Sequence, residues 1–132
     1  MYMENCITAA FRLDNYQGSL WDFYIYPSRS IIEQLNTLMR PFSRVVREVS
    51  EDEILLEDEW MIAMFGPFPT KYDYEHMPEK YDYHFIFLKE KQWMHRDGPG
   101  APITPVNKEE LFEYFETRGY PPQYFVVRRV EE

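Results

Sequence analysis

Asp82-Tyr83-His84-Phe85-Ile86-Phe87-Leu88-Lys89-Glu90-Lys91-Gln92-Trp93-Met94-His95 decides how this chain folds. Phe85 to Leu88 is a short apolar run of strand-forming residues. Lys89-Glu90-Lys91 breaks it, and Gln92 to His95 resumes a strand. Two strands joined by so short a connection pair antiparallel. Working outward, Trp60-Met61-Ile62-Ala63-Met64-Phe65, bounded by Gly66-Pro67 and Pro69, reads as a buried strand ahead of the hairpin. Tyr124 to Val130 reads as a final strand. Thr70 to Lys80 reads as a loop, and Asp97-Gly98-Pro99-Gly100-Ala101-Pro102 as a rigid, turn-rich one.

Helices are expected mainly before these strands. Asn5 can cap a helix from Cys6 to Leu13, with Ala9, Ala10 and Leu13 facing inward and Asn15 to Ser19 ending it. Trp21 to Tyr26 is an aromatic strand-like or packed-loop segment stopped by Pro27. Ser30-Ile31-Ile32-Glu33 has the pattern of a capping box. Ile31, Leu35, Leu38, Phe42, Val45, Val46 and Val49 follow at helical spacing, with Pro41 expected to kink or split the element. A short acidic helix is expected over Glu51 to Leu56. Asn107-Lys108-Glu109-Glu110 caps a late helix through Phe115, and Gly119 stops it. The expected class is α+β, with N-terminal helices packed on a mainly antiparallel sheet. Residues 1–132 are expected to form one domain.

Composition narrows the function. Apolar residues make up 45% and aromatic residues 18%, which is incompatible with a disordered chain. The net charge of −9 argues against nonspecific nucleic-acid binding, which needs cations to neutralise phosphates. It suits a basic protein partner. Seven acids and no base lie between Glu48 and Glu59, the pattern of a solvated helix face. No run approaches the roughly 20 apolar residues of a membrane span, so no membrane partner is expected. Met1 to Asn5 lacks the basic and apolar regions of a signal peptide. A cytoplasmic location is therefore the expectation, with signal-independent secretion as the alternative.

Chemistry centres on the single cysteine, Cys6, which excludes an intrachain disulfide. A cysteine attacks as its thiolate, and a helix start and a nearby imidazole both favour that anion. His84 and His95 can face each other across the hairpin, one as base and the other fixing its ring. The same three residues could instead hold zinc, but nothing supplies a close-spaced ligand pair. No metal or other cofactor is expected. His76 reads as an exposed loop residue. Trp93 and Tyr83, with Tyr72, Tyr74 and Tyr81, are candidates to line a substrate cleft or to pack across strands.

These residues resemble the papain-like, NlpC-type cysteine peptidases: Asn5-Cys6 at a helix start, Trp60 to Gly66 as the strand before the histidine strand, His84 opening that strand, and His95 on the next. Val126-Val127-Arg128-Arg129-Val130 is similar to the closing strand of many members. A narrower resemblance is to bacterial proteins of uncertain function. They carry Asn-Cys, then Asp-Tyr-His, then Trp-x-His before a basic residue and a Pro-Gly segment, and a Thr-Pro-Val-like tail, here Ile103-Thr104-Pro105-Val106. The resemblance implies a papain-like fold and cleavage of an amide or peptide bond in a peptide or protein substrate. Cys6 would be nucleophile, His84 base and His95 orienting group. The chain departs from that family at Asn5, where Asp is usual, and at Ile7-Thr8, where Ser-Gly is usual. An upstream oxyanion donor would have to be Tyr2, Glu4 or Asn5. The alternative is an acidic interaction protein: an inhibitor, an immunity protein or a catalytically dead papain-like binding module.

Overall fold

The computed structural model describes residues 6–13, 25–69, 81–97 and 101–130. In chain order these form α1 (Cys6–Ala10), α2 (Ile31–Met39), a 3-10 turn (Arg40–Phe42), β1 (Arg44–Val49), β2 (Glu59–Pro69), β3 (Tyr81–Lys89), β4 (Gln92–Arg96), β5 (Ile103–Pro105), α3 (Lys108–Glu116) and β6 (Gln123–Arg129). The strands make one sheet in the order β1-β6-β2-β3-β4-β5, with antiparallel neighbours throughout. The class is α+β with a mainly antiparallel six-stranded sheet.

β2 lies between β6 and β3 and is apolar on both faces because both faces are covered. Trp60, Ile62 and Met64 join a core with Ile7, Phe11 and Leu35, on the side of α1 and α2. Met61, Ala63 and Phe65 join a second core with Trp93, Val106 and Phe115, on the side of α3. The strand period of two sorts the residues of β2 between two hydrophobic layers. Past Phe65 the register shifts before Phe68. Gly66 makes that shift at φ +105°, and a Cβ there would stand 2.9 Å from the Phe68 ring and 3.1 Å from the Asp82 carbonyl oxygen.

Sequence periodicity misplaces one boundary. Helical spacing runs from Ile31 to Val49, yet the helix ends at Met39. Pro41 starts a tight turn and Ser43 takes a left-handed φ of 59°, which redirects the backbone into β1. Val45, Val46 and Val49 then pair with β6, where β-branched side chains fit the pleat. The acidic helix expected over Glu51 to Leu56 is also absent. That stretch is a turn-containing connection from β1 to β2, with Glu53 N–H donating to Ser50 O and Leu56 N–H to Glu59 Oε1. Its acids are therefore not a helix face: Glu53 and Glu59 pair with Arg47, and Glu51 with Lys108.

The other expected elements occur with shifted ends. α1 stops at Ala10, and Arg12 has φ 56°. Ala9, Ala10 and Leu13 are buried. Ser30 Oγ accepts from Glu33 N–H at 3.4 Å, and Asn107 Oδ1 from Glu110 N–H at 3.2 Å, so both caps form. Glu90 and Lys91 both have positive φ, the conformation of a two-residue hairpin turn between β3 and β4. β5 is an addition that no sequence pattern announces. Asn5, Asn15 to Ser19, the Thr70 to Lys80 loop with His76, Tyr72 and Tyr74, and most of Trp21 to Tyr26 lie outside the described residues.

Asn36 ties α2 to the sheet edge. Its Nδ2 donates to Val46 O at 2.9 Å and its Oδ1 accepts from Val46 N–H at 2.9 Å. The pair satisfies both outward backbone groups of a buried residue on edge strand β1. Asn36→Ala would orphan both, at a cost of about 2 kcal/mol. A lowered urea midpoint with unchanged slope is the expected outcome, and Asn36→Ala with the wild-type midpoint would show that water replaces the amide.

Candidate functional site

β3 continues the alternation set by its pairing with β2. Tyr83, Phe85 and Phe87 pack with the α1-side core, and Ile86 and Leu88 with the α3-side core. His84 shares the face of Ile86. It pairs with Phe65 across the strands, and its ring lies near-parallel to Phe115 of α3, with centroids 6.3 Å apart and planes 17° apart. On β4, Met94 belongs to the α1 side and Trp93 to the α3 side, so His95 falls on the same face as His84.

The structure brings the two histidines together. His84 Nε2 and His95 Nδ1 are 2.9 Å apart, and the rings meet edge to face at 82°. A hydrogen bond between two imidazoles needs one nitrogen to donate and the other to accept, so it fixes the tautomers of both rings together. If His84 donates from Nε2, its Nδ1 is left as the basic nitrogen. His84 is held well below the usual imidazole range, at about 4, first by burial and then by the charge His95 would carry; Asp97 acts in the opposite sense. At neutral pH the His84 ring is therefore uncharged, and the same environment makes it a weak base.

Cys6 stands at the backbone of the same strand. Its Sγ is 3.9 Å from Tyr83 O, and the Phe85 N–H also favours the sulfur's anionic form. These two peptide groups flank His84. The side chain packs against the α1-side core, however, while the His84 ring lies on the α3 side. No thiol–imidazole hydrogen bond joins the two among the described residues. Burial pushes the thiol up to about 12, with the Asp82 charge adding to it, and outweighs the N–H groups of Phe85, Ile7 and Cys6. Cys6 is thus a protonated thiol in this arrangement, a different electrostatic state from the activated one that a helix start and imidazole suggest.

The remaining candidates divide. Trp93 is buried against Phe112 and Tyr124, with centroids 6.4 and 6.2 Å away, and so packs the α3-side core. Tyr83 is half-buried, edge-on to Phe85 at 5.3 Å, on the face away from His84. Phe115 and Asp97 also enter the site, although the sequence marks Phe115 only as the end of a late helix and Asp97 only as the start of a turn-rich loop beside His95. The apolar spacing of Leu111, Phe112 and Phe115 shows that α3 has a buried face, but not that an imidazole lies beneath it. No group of three metal-ligating side chains converges among the described residues. Comparisons with protein-family models, with curated proteins and with solved structures found no match.

The low folded value of His84 sets a pH dependence. Between about 4 and 6.5 the unfolded chain binds a proton that folded His84 does not. Stability is then fully present above 6.5 and falls as the pH drops towards 4. The expected loss from this residue is about 2 kcal/mol by pH 5. Urea midpoints at pH 7 and pH 5 should diverge more in the wild type than in His84→Gln, which stays neutral throughout. Equal divergence would show that His84 titrates alike in both states.

Proposed function

We propose that the chain is a small, papain-like cysteine hydrolase acting on an amide or peptide bond, with Cys6 as nucleophile, His84 as base and His95 as orienting group. The observation that carries this reading is the His84 Nε2–His95 Nδ1 contact at 2.9 Å. A thiol held at the peptide groups on either side of that same histidine supports it. His95 accepting from His84 Nε2 leaves His84 Nδ1 to receive the thiol proton.

In this mechanism the resting pair is neutral, and as the substrate carbonyl arrives Cys6 has to leave its Tyr83 contact and turn from the α1-side core towards the His84 ring, which the resting arrangement holds on the other face. The thiol proton passes to His84 Nδ1 while sulfur bonds to the carbonyl carbon. The tetrahedral adduct then collapses: the C–N bond breaks and His84 returns the proton to the departing amine. A water then gives its proton to His84 and its oxygen to the thioester carbon. Breaking the C–S bond and returning that proton to sulfur restores the thiol. With the ring held at about 4 and the thiol at about 12, that transfer is uphill in the resting arrangement, so it depends on the thiol leaving its buried place.

A short peptide bearing a carbonyl-directed electrophile tests this reading. Labelling of Cys6 should exceed that of the urea-unfolded chain and fall on the order of 10²-fold or more in His84→Ala. His95→Ala should slow labelling, while His95→Asn, which can still accept the ring N–H, should retain part of the rate. Labelling no faster than in the unfolded chain, and indifferent to His84, would sink the hydrolase.

One observation favours a second reading, an acidic interaction protein. Ile54 and Leu56 are 84% and 66% exposed in the β1–β2 connection, next to the exposed acids Glu57 and Asp58. A partner with basic groups around an apolar recess would complement that surface. Glu51 and Glu53 already face Lys108 and Arg47, so Glu57 and Asp58 are the better acids to reverse. Binding of a defined basic amphipathic peptide, weakened by salt and by Ile54→Ser with Leu56→Ser, supports this reading; binding indifferent to both argues against it.

A further inference from the structure

Three parallel rings link α3 to the proposed base. Phe65 and Phe115 stack with centroids 4.5 Å apart and planes 14° apart. Phe115 and His84 follow at 6.3 Å and 17°. Phe65 is also the β2 residue directly opposite His84, so one aromatic ring on α3 bears on both members of a cross-strand pair. Phe115 is itself fixed: it is 8% exposed, Phe68 lies 5.7 Å away, and its carbonyl accepts from Arg118 N–H and from Tyr120 N–H. A ring held on both sides has little freedom to rotate away from the imidazole.

We infer that Phe115 is a positioning residue for the His84–His95 pair: its ring fixes the plane of the His84 imidazole, which keeps the hydrogen bond to His95 aligned and the ring in one tautomer. The inference deepens the hydrolase reading and rests on it for the name of base, although the ring geometry does not. Each element around His84 contributes differently. β2 offers Phe65 and α3 offers Phe115, neither of which titrates. β4 offers His95, with Asp97 just past its end, and these are the two titratable groups that bear on His84. α1 contributes the protonated Cys6 thiol at the flanking backbone. Apolar cover on one side and His95 as the one hydrogen-bonding partner among the described residues disfavour the imidazolium. Docking of α3 thus bears on the ring plane and tautomer of a residue that belongs to the sheet.

The test is an NMR pH titration of the His84 ring in the whole chain, a readout independent of substrate. In the wild type the midpoint should lie well below 6.5, and the ring nitrogens should report one locked tautomer at pH 7. Phe115→Leu keeps the site apolar but removes the ring. Its His84 ring nitrogens should show tautomer exchange at pH 7. Phe112→Leu removes a neighbour that meets Phe65 at 5.2 Å, and should leave the His84 tautomer locked. A tautomer still locked in Phe115→Leu would overturn the inference, as would equal exchange in both variants. Should Phe115→Leu not fold, the wild-type tautomer still decides: averaged ring nitrogens refute a fixed ring. A locked, low-midpoint His84 in a chain that never labels with the acyl electrophile would end the hydrolase reading while leaving the role of Phe115 standing.

Discussion

The two-residue alternation of β3 is the constraint on which the site depends. A strand cannot send neighbouring side chains to the same face, so His84 must oppose Tyr83 and Phe85. Phe85 is committed to the α1-side core, edge-on to Phe11 at 5.6 Å. That commitment delivers His84 to the α3 side, where Phe65, Phe115 and His95 receive it. A one-residue slip in the β2–β3 register would reverse every one of these placements. The chemistry of the site is in this sense a consequence of hydrophobic packing on both sides of the sheet.

Cys6 obeys a different constraint. It opens a five-residue helix whose next residues, Ile7, Thr8, Ala9 and Ala10, are all buried. So short a helix has little stability of its own and is held by tertiary contacts. Trp60 supplies one of them: its Nε1–H donates to Ala10 O at 2.8 Å from within the core. Pinning α1 in this way brings the thiol to the backbone beside His84 and also partly buries it against the core. Proximity and activation therefore pull in opposite directions here. The N–H groups of Phe85, Ile7 and Cys6 favour a thiolate, but burial outweighs them.

Much of the sheet is legible in the sequence because its signals are local. The polar break at Lys89-Glu90-Lys91 gives the hairpin, and the Trp60 to Phe65 run gives β2. The histidines at hairpin spacing give the His84–His95 contact, since a tight turn leaves few registers. Legibility ends where tertiary structure overrides a local pattern. Val45, Val46 and Val49 continue a helical spacing by accident of position, and only a partner strand, β6, makes them a strand. The acids of the β1–β2 connection imitate a helix face, yet Arg47 and Lys108 explain part of their placement. β5 is three residues long and exists because β4 offers it an edge.

The site shows the same division more sharply. Sequence order can nominate Cys6, His84 and His95, but it cannot say on which face of a sheet each will sit, because that is fixed by the burial of other residues. Nor can it couple Phe115 to His84, which are separated by β4, β5 and most of α3. Within the sheet, the His–His contact needs only a hairpin. The parallel stack on Phe115 needs α3 to pack on β2 and β3 at once, and the thiol's place needs α1 to pack on the other side. Each step away from the hairpin adds an independent packing requirement. The histidine pair is accordingly the part of the site that local sequence specifies, and its coupling to thiol and aromatic ring is the part that the two cores specify.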